Sequence, residues 1–241
     1  MEFTPETMAA NAAAVNARIG AACAKCGRDP AGVRLLWVSK TKPFEAVRAA
    51  YDAGARDFGE NRVQELVEKF SDPLPGVVRH LIGPLQSNKA RKAVRCADVI
   101  HSVASLDLVR RLDQLAGEED RTLRLLFQVN CSGEGTKSGL APEEVEPFLR
   151  ALPETPRLLY CGLMTIGPNT GNPEDARLPF RRLRAWRDAF LGSDGRFARF
   201  SELSMGMSED LEVAIEEGAT WVRVGTALFG ARDYGAPATK E

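Results

Sequence analysis

The stretch Arg34-Leu35-Leu36-Trp37-Val38-Ser39-Lys40-Thr41-Lys42-Pro43 reads as one apolar β-strand ended by a polar turn without glycine. A doubly wound sheet that binds a nucleotide would carry a glycine-rich phosphate fingerprint at this first strand-to-helix turn. Ser39 to Pro43 stand there instead, so the fold must be read from the pattern on either side.

Seven further strand-like runs follow: Asp57 to Asn61, Val78 to Gly83, Val99 to Val103, Leu123 to Asn130, Leu158 to Ile166, Phe200 to Met205 and Trp221 to Gly225. Helical stripes lie between them. Leu108, Leu112 and Leu115 form one; Val145, Phe148, Leu149 and Leu152 form another, with Pro142 placed for a first helical turn. Leu211, Ala214 and Ile215 form a third, and Pro147 is expected to kink the second. The run from Leu123 to Val129 is apolar without strict alternation, as in parallel strands covered on both faces. Eight βα units of roughly 25 residues, joined by right-handed crossovers, predict a closed (β/α)8 TIM barrel of the α/β class. The Ala-rich segment from Pro5 to Lys25, stopped by Gly27 and Pro30, predicts an additional N-terminal helix. The expected organisation is one barrel domain over residues 1–241, with its core at about 33–234.

Composition agrees with this. The chain has 241 residues, 44% apolar and 27% charged, enough for a sizeable core. Lys plus Arg (32) nearly balance Asp plus Glu (33), so no global field draws nucleic acid or an anionic membrane. No run reaches the ~18 uncharged apolar residues of a spanning helix. Glu2 and Glu6 stand where a signal peptide would be basic, which makes a cytoplasmic location the expectation. Five scattered cysteines suit reduced thiols, and Cys23-x-x-Cys26 alone supplies half of a zinc site at most.

In a barrel the chemistry sits at the C-terminal ends of the strands. Lys40 ends the first strand, and period-two alternation puts Leu36, Val38 and Lys40 on one face and Leu35, Trp37 and Ser39 on the other. A partly desolvated Lys40 could attack an aldehyde and form a Schiff base; a solvated or ion-paired lysine is the other reading. Ser208 precedes a helical stripe and reads as its N-cap beside an anion seat, although Glu209 and Asp210 would repel an anion unless turned outward; an ordinary helix cap here, and an ordinary tight turn at Gly225 and Thr226, is the other reading. Gly225 and Thr226 follow the eighth strand, where this fold commonly binds phosphate. Arg223, on a buried strand, needs an acceptor, whether a ligand or a structural ion pair. The Gly133 to Gly139 loop lacks the spacing of a phosphate-binding loop but carries a second amine, Lys137. The two histidines, His80 and His101, read as packed strand residues.

Several motifs resemble the pyridoxal phosphate homeostasis protein family, in order from about Leu35 to Tyr234. They are Leu36-Trp-Val-Ser-Lys40-Thr-Lys-Pro43, Phe58-Gly-Glu-Asn61, His80-Leu-Ile-Gly-Pro-Leu-Gln-Ser-Asn-Lys89, Lys137-Ser-Gly139, Gly162-Leu-Met-Thr165, Ser204-Met-Gly-Met-Ser208 and Val222-Arg-Val-Gly-Thr226 with Phe229-Gly-Ala-Arg-Asp-Tyr234. The resemblance implies a barrel related to the N-terminal domain of alanine racemase, with pyridoxal 5'-phosphate as cofactor on a Lys40 Schiff base. It also implies phosphate contacts from Ser208, Gly225 and Thr226, a ring-nitrogen contact from Arg223, ring-side contacts from Asn61 and Met164, and secondary cofactor handling by Lys137. The implied role is cofactor homeostasis by a monomer, with apo-enzymes that use pyridoxal phosphate as recipients and no robust turnover; amino-acid racemisation is the alternative. Arg223 facing the pyridine nitrogen would disfavour its protonation and weaken the electron sink that racemisation needs. Trp37 and Arg62 depart from the family pattern, Trp37 on the helix-facing side of its strand.

Overall fold

The computed structural model describes residues 2–72, 74–132 and 138–231. Eight parallel strands close into a barrel in sequence order: β1 (Arg34–Val38), β2 (Asp57–Glu60), β3 (Val78–Leu81), β4 (Val99–Val103), β5 (Leu123–Gln128), β6 (Leu158–Met164), β7 (Glu202–Ser204) and β8 (Trp221–Val224). The eight strands expected from the sequence are all present, each within the bounds read for it. β8 pairs back onto β1 with Arg34 opposite Trp221 and Leu36 opposite Arg223, which removes any free sheet edge.

The helices are α1 (Pro5–Cys26), α2 (Phe44–Asp52), α3 (Val63–Lys69), α4 (Ala90–Cys96), α5 (Leu106–Glu118), α6 (Val145–Arg150), α7 (Arg177–Phe190), α8 (Leu211–Glu216) and α9 (Thr226–Phe229). Among the described residues, no helix is long and apolar enough to cross a membrane. The α5 stripe Leu108, Leu112 and Leu115 is buried as its period requires. Pro147 falls in the first turn of α6, behind a separate 3-10 turn at Pro142–Glu144. A missing N–H breaks no α6 bond there.

The α1 helix is the additional N-terminal element. Thr4 caps it by accepting from Thr7 N–H at 3.2 Å, and Gly27 closes it in the left-handed conformation at φ 68°. It packs on α8, α2 and α9. Its polar side chains brace the last two strand-to-helix loops: Arg18 pairs with Glu212 at 2.6 Å and donates to the Ser208 carbonyl at 2.9 Å, while Asn11 donates to the Leu228 carbonyl at 2.7 Å.

Two buried layers result. Between strands and helices runs the main apolar core, where Trp37 meets Phe229 of α9 edge-on at 5.8 Å between ring centroids. That is the helix-facing side that alternation assigns to Trp37. Inside the barrel, Val99, Leu126, Cys161 and Met164 form a smaller cluster. Near the N-terminal end, Arg34 pairs with Glu202 at 2.6 Å and stacks over Trp221 at 3.7 Å.

Candidate functional site

A cavity of about 540 Å³ opens where the strands end. Lys40, Asn61, Met164, Ser208, Arg223, Gly225 and Thr226, which come from five different strand ends, all line it. The remaining candidate, Lys137, lies outside the described residues. The sequence singled these residues out one at a time; barrel closure brings them together.

Lys40 is half-buried, and its backbone is held from both sides. Before it, the Ser39 hydroxyl donates to Glu60 Oε1 at 2.7 Å, and the Lys69 ammonium donates to the Ser39 carbonyl at 2.7 Å. Lys69 also donates to Glu60 Oε1 at 2.8 Å and lies 3.5 Å from Glu65. After it, Thr41 sits at φ 64°, a conformation rare for a β-branched residue, and its N–H donates to Glu65 Oε2 at 2.9 Å. Strain at Thr41 is thus offset by a charge-assisted hydrogen bond. Burial pushes Glu60 up to about 7, against the pull of Lys69 and Ser39. Burial would raise Glu65 too, but Thr41 N–H, Glu60 and Lys69 together hold it below the usual range. Sequence reading missed this cluster. The only hint was alternation, which turns Glu60 outward from the barrel next to an inward Asn61.

Asn61 is seated by Gly83. A Cβ on Gly83 would stand 2.2 Å from the Asn61 carbonyl oxygen, so the ends of β2 and β3 can approach this closely only with glycine there. We expect Gly83→Ala to destabilise the protein by ~1–3 kcal/mol through a forced backbone shift. A urea midpoint equal to that of the parent would show instead that the loops part freely.

On the opposite wall the structure corrects one expectation. Ser208 is not the N-cap of α8; Asp210 occupies that position, and Ser208 lies in the preceding turn with its carbonyl taken by Arg18. Glu209 is exposed, whereas Asp210 turns inward, is buried, and accepts from Met207 N–H at 2.6 Å. Burial raises the Asp210 carboxyl, opposed by that N–H and by Arg223. The turn from Met207 to Asp210 therefore satisfies its own acid. On the far side of β8, Gly225 caps α9, and Thr226 and Ala227 place first-turn N–H groups where no intrahelical acceptor exists.

Arg223 forms part of the cavity wall. It is 5% exposed and donates from Nη1 to the Ser204 carbonyl at 2.7 Å and hydroxyl at 2.9 Å, and from Nη2 to the Thr165 carbonyl at 2.8 Å. Among the described residues no carboxylate pairs with it directly. Burial lowers it to about 10, with Asp210 pulling the other way, so it remains a cation at neutral pH. A buried guanidinium held by neutral acceptors leaves positive potential facing the cavity.

The matched family model, alanine racemase N-terminal domain, covers residues 10–233. A pyridoxal phosphate homeostasis protein of Pseudomonas aeruginosa is 49% identical over 236 residues, 97% of this chain and 99% of that protein. The chain belongs to this family. PipY of Synechococcus elongatus, whose structure was solved with pyridoxal phosphate bound, superposes with a TM-score of 0.80 at 40% identity, covering 92% of this chain and all of that one. Alanine racemase of Clostridium difficile shares the fold alone, at 13% identity and a TM-score of 0.68, over 83% of this chain and 53% of that one. Members of the pyridoxal phosphate homeostasis family thus resemble this chain over nearly its full length, while the racemases resemble it in architecture only.

Proposed function

We propose that this protein binds pyridoxal 5'-phosphate at the cavity and serves its homeostasis. The observation that carries the reading is the donor set on one cavity: a primary amine on Lys40, the buried Arg223 cation, the Ser208 and Thr226 hydroxyls, and the first-turn N–H groups after Gly225. This set suits an aldehyde, a ring nitrogen and a phosphate placed apart on one small ligand. When bound, the cofactor supplies an aldehyde that condenses with a primary amine and releases water. Lys40 provides that amine, and the clamp on Ser39 and Thr41 fixes where its backbone stands. Ser208, Gly225 and Thr226 hold the phosphate, helped by the Arg18 brace behind Ser208. Arg223 donates toward the ring nitrogen and keeps a proton off it. Asn61 and Met164 border the ring, and we assign Lys137 to secondary handling of the cofactor.

The same site argues for carrying rather than turnover. Racemisation needs acid/base groups on both faces of the substrate carbon. Among the described residues lining the cavity, the titratable side chains are Lys40, Glu209, Asp210 and Arg223, and both acids stand beside Ser208 on the phosphate side. We therefore read the protein as a carrier that releases cofactor to apo-enzymes, and we propose that it does so as a cytoplasmic monomer.

The test is fixation with borohydride after addition of pyridoxal phosphate, followed by peptide mapping. The expected label lies on Lys40 itself, located by fragmentation of the peptide that carries both Lys40 and Lys42. Label confined to Lys42 or Lys137 would overturn the assignment, and sustained interconversion of amino-acid enantiomers, lost in Lys40→Ala, would establish the racemase reading instead.

A further inference from the structure

A line of polar side chains runs through the barrel from its N-terminal end to the cavity. Asp57 Oδ1 lies 3.0 Å from His80 Nε2, His80 Nδ1 lies 2.9 Å from His101 Nε2, and His101 Nδ1 lies 3.0 Å from the Ser204 hydroxyl. That hydroxyl is the group that accepts from Arg223 Nη1 at 2.9 Å. His80, His101 and Ser204 are fully buried, and Asp57 keeps partial access to solvent. Trp221 closes the side of the line, its ring 4.9 Å from that of His80.

The donors in this line follow from its two ends. A carboxylate can only accept, so His80 Nε2 carries hydrogen and its Nδ1 accepts. His101 Nε2 must then donate to His80, which leaves His101 Nδ1 as an acceptor for the Ser204 O–H. Ser204 has now given its hydrogen away, and its lone pairs face Arg223, which can only donate. Every bond points the same way, from the cavity toward Asp57. Both rings are neutral in this scheme. Burial lowers the pKa of each, opposed at His80 by Asp57 and reinforced at His101 by His80 and Arg223, with Arg124, Arg34 and Glu202 as the other charges facing the pair. Arginine holds its proton, so the line transmits orientation and not protons.

We infer that His101, seated by His80 and Asp57, is a positioning residue that sets the Ser204 hydroxyl so that Arg223 is held at the cavity in a fixed pose. The inference rests on the proposed pyridoxal phosphate reading for its consequence, but not for its geometry. With His101 replaced by an apolar ring, the Ser204 hydrogen loses its acceptor and Arg223 loses a reliable one. Glutamine at position 101 keeps one acceptor and one donor on the same side chain.

The test has two arms. Nitrogen-15 NMR of the cofactor-free protein reads the tautomers: we expect Nε2–H on both rings from pH 6 to pH 8. A protonated ring, or Nδ1–H on either ring, overturns the inference whatever the protein binds. In the second arm, pyridoxal phosphate is titrated into the parent, His101→Phe, His101→Gln and Ser204→Ala, following the absorbance band. The expected result is weakening by about tenfold for His101→Phe and Ser204→Ala, the worth of one hydrogen bond to a charged group, with His101→Gln within about threefold of the parent. Equal weakening by Phe and Gln would show a packing role only and overturn the inference. Ser204→Ala keeps the arm decisive if His101→Phe does not fold. A parent that takes up no pyridoxal phosphate would refute the proposed function and leave the tautomer arm standing.

Discussion

Lys40→Ala is expected to abolish covalent retention of pyridoxal phosphate, measured as cofactor remaining after borohydride and exhaustive dialysis, while leaving the thermal midpoint within a few degrees of the parent. The separation of the two effects follows from the structure. The clamp around this position acts on the Ser39 hydroxyl and carbonyl and on the Thr41 N–H, so truncating the Lys40 side chain removes the amine without removing those bonds. Lys42 is two residues away, but its amine donates to the Ala231 carbonyl at 2.8 Å and cannot serve as a substitute without leaving it. Residual noncovalent binding through Arg223, Ser208 and Thr226 should persist at reduced affinity. Retention of a borohydride-stable adduct by Lys40→Ala would place the reacting amine elsewhere.

The second large effect is on stability. Above pH 8, where Glu60 is charged, Lys69→Met should cost about 3–5 kcal/mol in chemical denaturation, because it strands a fully buried carboxylate. The cost depends on pH, with a definite sign. Glu60 is raised in the folded protein to about 7 from an ordinary 4.5, so its contribution to stability is fully present below 4.5 and is lost as pH rises through 7. Removing Lys69 takes away the neighbour that favours the charged form and lifts Glu60 further, so the penalty for Lys69→Met should be level between pH 4.5 and 7 and grow as pH rises above 7. Glu60→Gln keeps an acceptor for Ser39 and Lys69 but cannot titrate. The stability of the parent relative to Glu60→Gln should therefore decline between pH 4.5 and 7 and be level below it. A difference that rises over this window would reverse the assignment of Glu60 as a buried acid with a raised pKa. Looser seating of Lys40 should accompany the loss, since both flanking residues are tied to the same cluster.

Much of the barrel was legible because its signals are local. Strand runs and helical stripes repeat within a window of a few turns, and a strand-ending lysine such as Lys40 needs only alternation to be aimed inward. Met164 shows where alternation fails. Continued from Leu159 and Cys161, strict alternation would put Leu163 inside the barrel, yet Leu163 joins the outer core and Met164 faces inward. The register of β5 against β6 shifts between Leu125 and Leu126, at Gly162, where a Cβ would stand 1.9 Å from the Glu202 carbonyl oxygen. The strand pattern places Met164 at a strand end, and only the family resemblance gives it a ligand contact.

Ser208 fails for a related reason. Serine before an apolar stripe is a sound cap signal, but the acid two residues on reaches back to Met207 N–H and takes the cap position, a choice settled by the inward turn of Asp210.

By itself the sequence determined the eight-unit α/β architecture, its extra N-terminal helix and the order in which the polar strand ends arrive, because each depends on periodicity and turn chemistry within short stretches. Tertiary structure alone decided the pairings that give those residues their character: Glu60 with Lys69, His80 with His101, and Ser204 with Arg223. These partners lie 9, 21 and 19 residues apart. Which groups meet across a closed barrel is set by register and burial, and a buried polar group acquires its charge and direction only from the partner that closure brings to it.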